Sequence, residues 1–163
     1  MTRIALIPGC LALLPAYASV VDPVVELREA VQAAVGWLGA EVTVVAGAQG
    51  RRVAETALTA RAGVGADEPS YLVVGNGSAC RTEKAPGYLD PRAEGFDKML
   101  GAALATADRP ALAALDHALG RDLWAEVGAF AGLADLLDGA RLAAIDYDGA
   151  PYGVQYWVMR WQR

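Results

Sequence analysis

Three short apolar runs are separated by stretches whose apolar residues recur at helical spacing: RIALI at 3–7, EVTVVAG at 41–47 and SYLVVG at 70–75. Runs of this length, rich in β-branched residues and bounded by Gly or Pro, read as buried strands; the first ends at Pro8-Gly9. Between the first two runs, Val24, Leu27, Val31, Ala34, Val35 and Leu38 form one stripe, with Glu26, Glu29 and Gln32 off it. Asp22-Pro23 offers a side-chain acceptor and a pre-set φ at its start, and Gly39 a stop. Strand, helix, strand is the βαβ pattern, and it confines the chain to an α/β architecture whose sheet is covered on its faces by helices.

The rest of the chain extends that frame. A short helix is expected over 51–63, a further one from Asp90-Pro91 to about Ala107, and helical structure from Pro110 to Leu137 with breaks near Gly120 and at Gly128 to Gly132. RLAAIDYD at 141–148 and YGVQYWVMRW at 152–161, joined by Gly149-Ala150-Pro151, read as a terminal hairpin that makes the sheet mixed. In the last run Gln155, Trp157, Met159 and Trp161 share one face, and Val154, Tyr156, Val158 and Arg160 the other. The Trp-Met-Trp face has two readings: core, or, on an edge strand, a subunit contact in a homo-oligomer. With 163 residues and no repeat or linker, the expectation is a single three-layer α/β domain over 1–163.

The N-terminus MTRIALIPGCLALLPAYAS also resembles a weak signal peptide ending at Ala16-Tyr17-Ala18. The strand reading is preferred. Two prolines interrupt the apolar region, and cleavage would remove the best strand former at this end. A net charge of −5, from 14 basic and 19 acidic residues, leaves no basic face for duplex nucleic acid or an anionic membrane. No run reaches the roughly 18 apolar residues of a spanning helix. Two cysteines, Cys10 and Cys80, make no disulfide framework, which points to a reducing, cytoplasmic setting.

Chemistry concentrates in GNGSACRTEKAPGYLDPRAEGFD, residues 75–97, directly behind the third strand. A core strand ending in Gly-Asn-Gly-Ser sets backbone N–H groups and small polar side chains at the carboxyl edge of the sheet, where open α/β sheets bind ligands. Asn76, Ser78, Arg81, Glu83 and Lys84 are the candidate ligand-binding residues here, the two cations suited to a carboxylate or phosphate. The second dense spot, DYDGAPYG at 146–153, adds Asp148 and Tyr152 if both strands end at one edge. The competing reading is structural: Arg81, Glu83, Lys84 and Asp90 pin a long loop, and Asp148-Gly149 makes a tight turn. No phosphate-binding Gly-x-x-x-x-Gly-Lys or dinucleotide Gly-x-Gly-x-x-Gly pattern is present. Ser78 and Cys80 would need a base to act as nucleophiles, and the sole histidine, His117, lies in the helical stretch ALAALDHALG. Arg81 could lower the Cys80 pKa, but no residue is assigned a catalytic role.

The same two places carry a resemblance. GNGSACRTEKAPGYLDPRAEGFD and the closing YDGAPYGVQYWVMRW resemble segments of actinobacterial proteins related to the class III extradiol ring-cleavage dioxygenases. Asn76 stands where those relatives commonly carry Asp, and IALIPGCLALLP is similar to their strand-Pro-His-Pro-Pro-Leu-Leu opening. The likeness covers 75–97 and 146–161 most distinctively and 4–50 more loosely, and the middle is shortened. It implies a dioxygenase-like α/β fold and, in active relatives, a non-haem Fe(II) held by two histidines and one glutamate that opens a catechol ring with O₂. Facial binding of Fe(II) needs those imidazoles. Here Gly9 stands at the position matching the first histidine, and AGAQG at 46–50 replaces the region of the second, with Gln49 its only polar side chain. Asp22, Glu94 and Asp148 are the remaining candidates for a hard cation, which needs clustered oxygens.

The expectation is therefore a protein without resident metal or cofactor that binds a small anionic or aromatic molecule. The alternative is an enzyme: a metal-dependent, aromatic ring-opening oxidoreductase using Fe(II), or altered chemistry on the same scaffold.

Overall fold

The computed structural model describes residues Met1–Arg163. Its sheet takes β1 (Arg3–Ile7), β2 (Val42–Val45), β3 (Ser70–Val74), β4 (Arg141–Gly149) and β5 (Tyr156–Gln162) in the order β2-β3-β1-β5-β4. β1, β2 and β3 are parallel, β5 runs antiparallel to β1, and β4 is antiparallel to β5. The sheet is mixed because a short hairpin can join only antiparallel strands.

Helices cover both faces. On one, α1 (Val25–Trp37) and α2 (Ala48–Ala60) lay Leu27, Val31, Val35, Val53 and Ala57 on Ala5, Ile7, Leu72, Val74 and Val158. On the other, α3 (Ala93–Ala105), α4 (Arg109–Ala113), α5 (His117–Asp122) and α6 (Phe130–Leu136) cover Ile4, Leu6, Val73, Trp157, Met159 and Trp161. The result is a three-layer α/β domain. α1 carries the chain past β3 to β2, and α2 returns it to β3 over the same face. The two crossovers are thus of opposite hand, and one departs from the usual right-handed rule.

Every member of the apolar stripe expected in the first helix, from Val24 to Leu38, is buried. The helix itself begins at Val25 because Val24, at φ −136°, is not helical. Asp22 instead accepts from the Val24 N–H at 3.0 Å and from Arg28 Nε at 2.6 Å. α2 starts three residues before the expected 51, so Ala48, Gln49 and Gly50 form its first turn, opened by Gly47 C=O accepting from the Arg51 N–H at 2.9 Å. The expected break at Gly128 is present, since no helix runs between Asp122 and Phe130, but Gly120 lies inside α5 and Gly132 inside α6, and a further break between α4 and α5 has no glycine. Capping decides the boundaries. Asp108 accepts from Ala111 N–H at 3.0 Å and Asp116 from Leu119 N–H at 2.9 Å. α5 ends at Asp122, and Trp124, just past its C-cap Leu123, takes the left-handed conformation (φ 57°) usually left to glycine.

β5 is interior, between β1 and β4, and of the two readings of the Trp-Met-Trp face the structure bears out the core one rather than the edge-strand contact. Trp157 and Trp161 are fully buried, and Trp161 Nε1 donates to Leu104 C=O at 3.2 Å. Each such ring stabilises the fold by about 2–3 kcal/mol through burial. No helix is long and apolar enough to cross a membrane.

Candidate functional site

Five segments meet at the carboxyl edge of the parallel strands: the turn after β1, the first turn of α2, the loop after β3, the Trp124–Val127 link and the β4–β5 turn. Their joints are specific. Asn76 exchanges two backbone hydrogen bonds with Glu126, at 3.0 and 3.1 Å. Asn76 Oδ1 accepts from the Gly9 N–H at 3.2 Å, and Gln49 Nε2 donates to Gly9 C=O at 3.1 Å. The packing is close at Gly9: a methyl group there would meet Glu126 Oε2 and push that carboxyl aside. One on Gly50 would stand 2.9 Å from Val74 Cγ1 and 3.0 Å from Glu126 Oε1. The Glu126 carboxyl thus fills the space between two missing side chains.

These segments enclose a cleft of about 720 Å³. Glu126, Gln49 and Asn76 supply its polar floor, and Trp124, Tyr152 and Tyr156 its aromatic walls. Burial pushes the Glu126 carboxyl above the usual range, with no neighbouring cation or hydrogen-bond donor to offset it. Tyr156 is also pushed up, first by burial and then by its hydrogen bond with Cys10. Tyr152 Oη donates to Pro23 C=O at 3.1 Å and ties the hairpin turn to the segment entering α1.

Behind the cleft the loop after β3 is anchored by a buried carboxylate. Asp97 of α3 accepts from Ser78 N–H at 2.8 Å and Ser78 Oγ at 2.6 Å. Arg81 Nη1 reaches Asp97 Oδ2 at 3.4 Å and Gln155 Oε1 at 3.0 Å, and Gln155 Nε2 donates to Asp148 Oδ1 at 2.8 Å. Burial raises the Asp97 pKa despite these donors and the Arg81 charge, so desolvation is the larger effect here.

Of the sequence candidates, Asn76 and Tyr152 line the cleft. Ser78, Arg81 and Asp148 are brought together in the hydrogen-bonded chain through Asp97 and Gln155, and Arg81 and Asp148 border a separate polar groove of about 380 Å³. Glu83 and Lys84 are exposed and line neither space. Glu126, Trp124 and Tyr156 were not singled out by the sequence. Trp124-Ala125-Glu126 sits in what reads as continuous helix, and only nearby Gly128 hinted at a break. Cys80 is buried, its Sγ 3.4 Å from Leu123 C=O, and its pKa is raised by burial and then by Asp90 and Asp97. The lowering that Arg81 could have supplied is not seen.

The side chains present do not match an Fe(II) site. Gly9 contributes no donor, Gln49 commits its amide to Gly9, and His117 is exposed at the start of α5. No three His, Cys, Asp or Glu side chains gather to hold an ion. Asp22, Glu94 and Asp148 are dispersed, engaged with Arg28, Lys98 and Gln155 respectively. No protein-family model matches the sequence, and no curated protein matches it.

Proposed function

We propose that this chain is an extradiol dioxygenase-like scaffold, free of metal and cofactor, that works in the cytoplasm by binding a small aromatic molecule without opening its ring. The observation that carries this reading is the cleft itself: a space of about 720 Å³, ample for an aromatic ring and its substituents, walled by Trp124, Tyr152 and Tyr156 over a floor of amides and one carboxyl. An anionic ligand is the less favoured of the two chemistries, since neither Arg81 nor Lys84 lines the cleft. Both cysteines are free and buried, in keeping with a reducing compartment.

Catechol tests this reading against the ring-opening alternative. The protein is loaded anaerobically with Fe(II), desalted, assayed for iron, and mixed with catechol and O₂. The proposal expects saturable quenching of tryptophan fluorescence by catechol, sub-stoichiometric iron and no O₂ uptake. Iron bound one-to-one together with catechol-dependent O₂ consumption would establish the oxidoreductase instead.

A further inference from the structure

Resting on the ligand-binding reading above, we infer that the cleft selects an arylalkyl amine: a ring held by Trp124, Tyr152 and Tyr156 and an ammonium group set against the Glu126 carboxyl.

Charge is the first observation. Glu126 is the only carboxyl among the lining residues, and no Lys, Arg or His shares the cleft with it. A carboxylate desolvated without a partner is costly, and proteins rarely keep one unless something arrives to pair with it. Gly9 and Gly50 leave it room at the floor, and a side chain at either position would displace it. An ammonium donates to such a group in a charge-assisted bond, whereas a carboxylate ligand meets only repulsion.

The rings are the second observation, and an independent one. Trp124 and Tyr152 are 61% and 66% exposed, although large aromatics are ordinarily buried. Both are held at positive φ, 57° and 55°, in the left-handed region that non-glycine residues avoid. This strained backbone presents bare π-faces at the mouth of a cleft whose floor is acidic. Aromatic faces attract cations, most strongly where water is excluded. Acid floor and aromatic rim therefore favour the same ligand charge.

The test uses three near-isosteric probes on the full chain: 2-phenylethylamine, 2-phenylethanol and 3-phenylpropanoate, with affinities from isothermal titration calorimetry. The amine is expected to bind at least tenfold tighter than the alcohol, with the carboxylate weakest. Glu126→Gln is expected to bring amine and alcohol within about threefold of each other. Because the carboxyl makes no internal bond, this variant keeps its fold, and its unfolding transition checks that. Trp124→Ala is expected to weaken all three probes. Equal binding of amine and alcohol overturns the inference while leaving the aromatic cleft standing. An amine preference that survives Glu126→Gln overturns it as well. Failure of all three probes to bind sinks both the inference and the ligand-binding reading beneath it.

Discussion

Replacing Asp97 with alanine removes the buried acceptor that anchors Ser78 and Arg81 in the loop after β3. The side chain is 2% exposed, and it satisfies Ser78 N–H, Ser78 Oγ and the Arg81 guanidinium. Hydrogen bonds to a charged group contribute about 1.5–3 kcal/mol each, and breaking a buried ion pair by deleting one partner costs about 3–5 kcal/mol. These are not additive, since one deletion removes all of them together. The raised pKa of Asp97 also shows that its charge is itself unfavourable to bury. Asp97→Ala is therefore expected to cost about 3–5 kcal/mol, a large share of the stability of an ordinary domain. Asp97→Asn retains an acceptor for Ser78 and is expected to cost about 1–2 kcal/mol. Urea denaturation followed by tryptophan fluorescence measures both, with m checked for constancy. A loss below about 0.5 kcal/mol for Asp97→Ala, typical of an unremarkable surface change, would refute the assignment of Asp97 as the loop's anchor.

Glu126→Gln makes a pH-dependent prediction. Burial raises the native carboxyl above its ordinary value of 4.5, so between the two values the folded state binds more protons than the unfolded one. Stability then falls as pH rises through that window, and the variant escapes the penalty. It should have the higher urea midpoint at pH 8, with the gap closing by pH 4; a wild type more stable at pH 8 contradicts this. Gly153 sits at φ 79°, where an added methyl group would stand 2.5 Å from Ala85 Cβ, so Gly153→Ala should cost about 2–4 kcal/mol in the same assay. Trp161→Ala empties a fully buried site and should cost about 3–5 kcal/mol, read as a drop in thermal midpoint.

The layers of the fold were legible because short-range physics writes them. Strand runs bounded by Gly and Pro, and the Val24-to-Leu38 stripe, survive intact in β1, α1 and β3. Boundaries set by caps were less so: Asp116 opens α5 within a stretch that read as continuous helix, with no glycine to mark the break. Strand order is a tertiary property, and hydrophobic alternation alone did not reveal that β5 lies between β1 and β4.

The site was half legible for the same reason. The loop at 75–97 advertised itself by composition, and Asn76 and Tyr152 do reach the cleft. Arg81 and Asp148 were conspicuous as charges, yet they meet each other through Gln155 at the rear. Glu126 and Trp124 come from a different stretch, some fifty residues beyond the loop they face, and the Asn76–Glu126 backbone bridge, with Leu123 C=O accepting from the Ala79 N–H, brings them there. Gly9 and Gln49 were noticed for what they lack. Their role became visible only with the Glu126 carboxyl packed against Gly9.

Everything proposed for the cleft rests on an aromatic ring entering it at the carboxyl edge of β1 and β3. Titrating catechol into ¹⁵N-labelled, metal-free protein under argon reads that entry residue by residue. Saturable amide shifts are expected, concentrated at Gly9, Asn76, Trp124, Glu126 and Tyr152. Shifts centred instead on Arg81, Lys98 and Asp148, or none at saturating catechol, would show that the ring binds elsewhere or not at all.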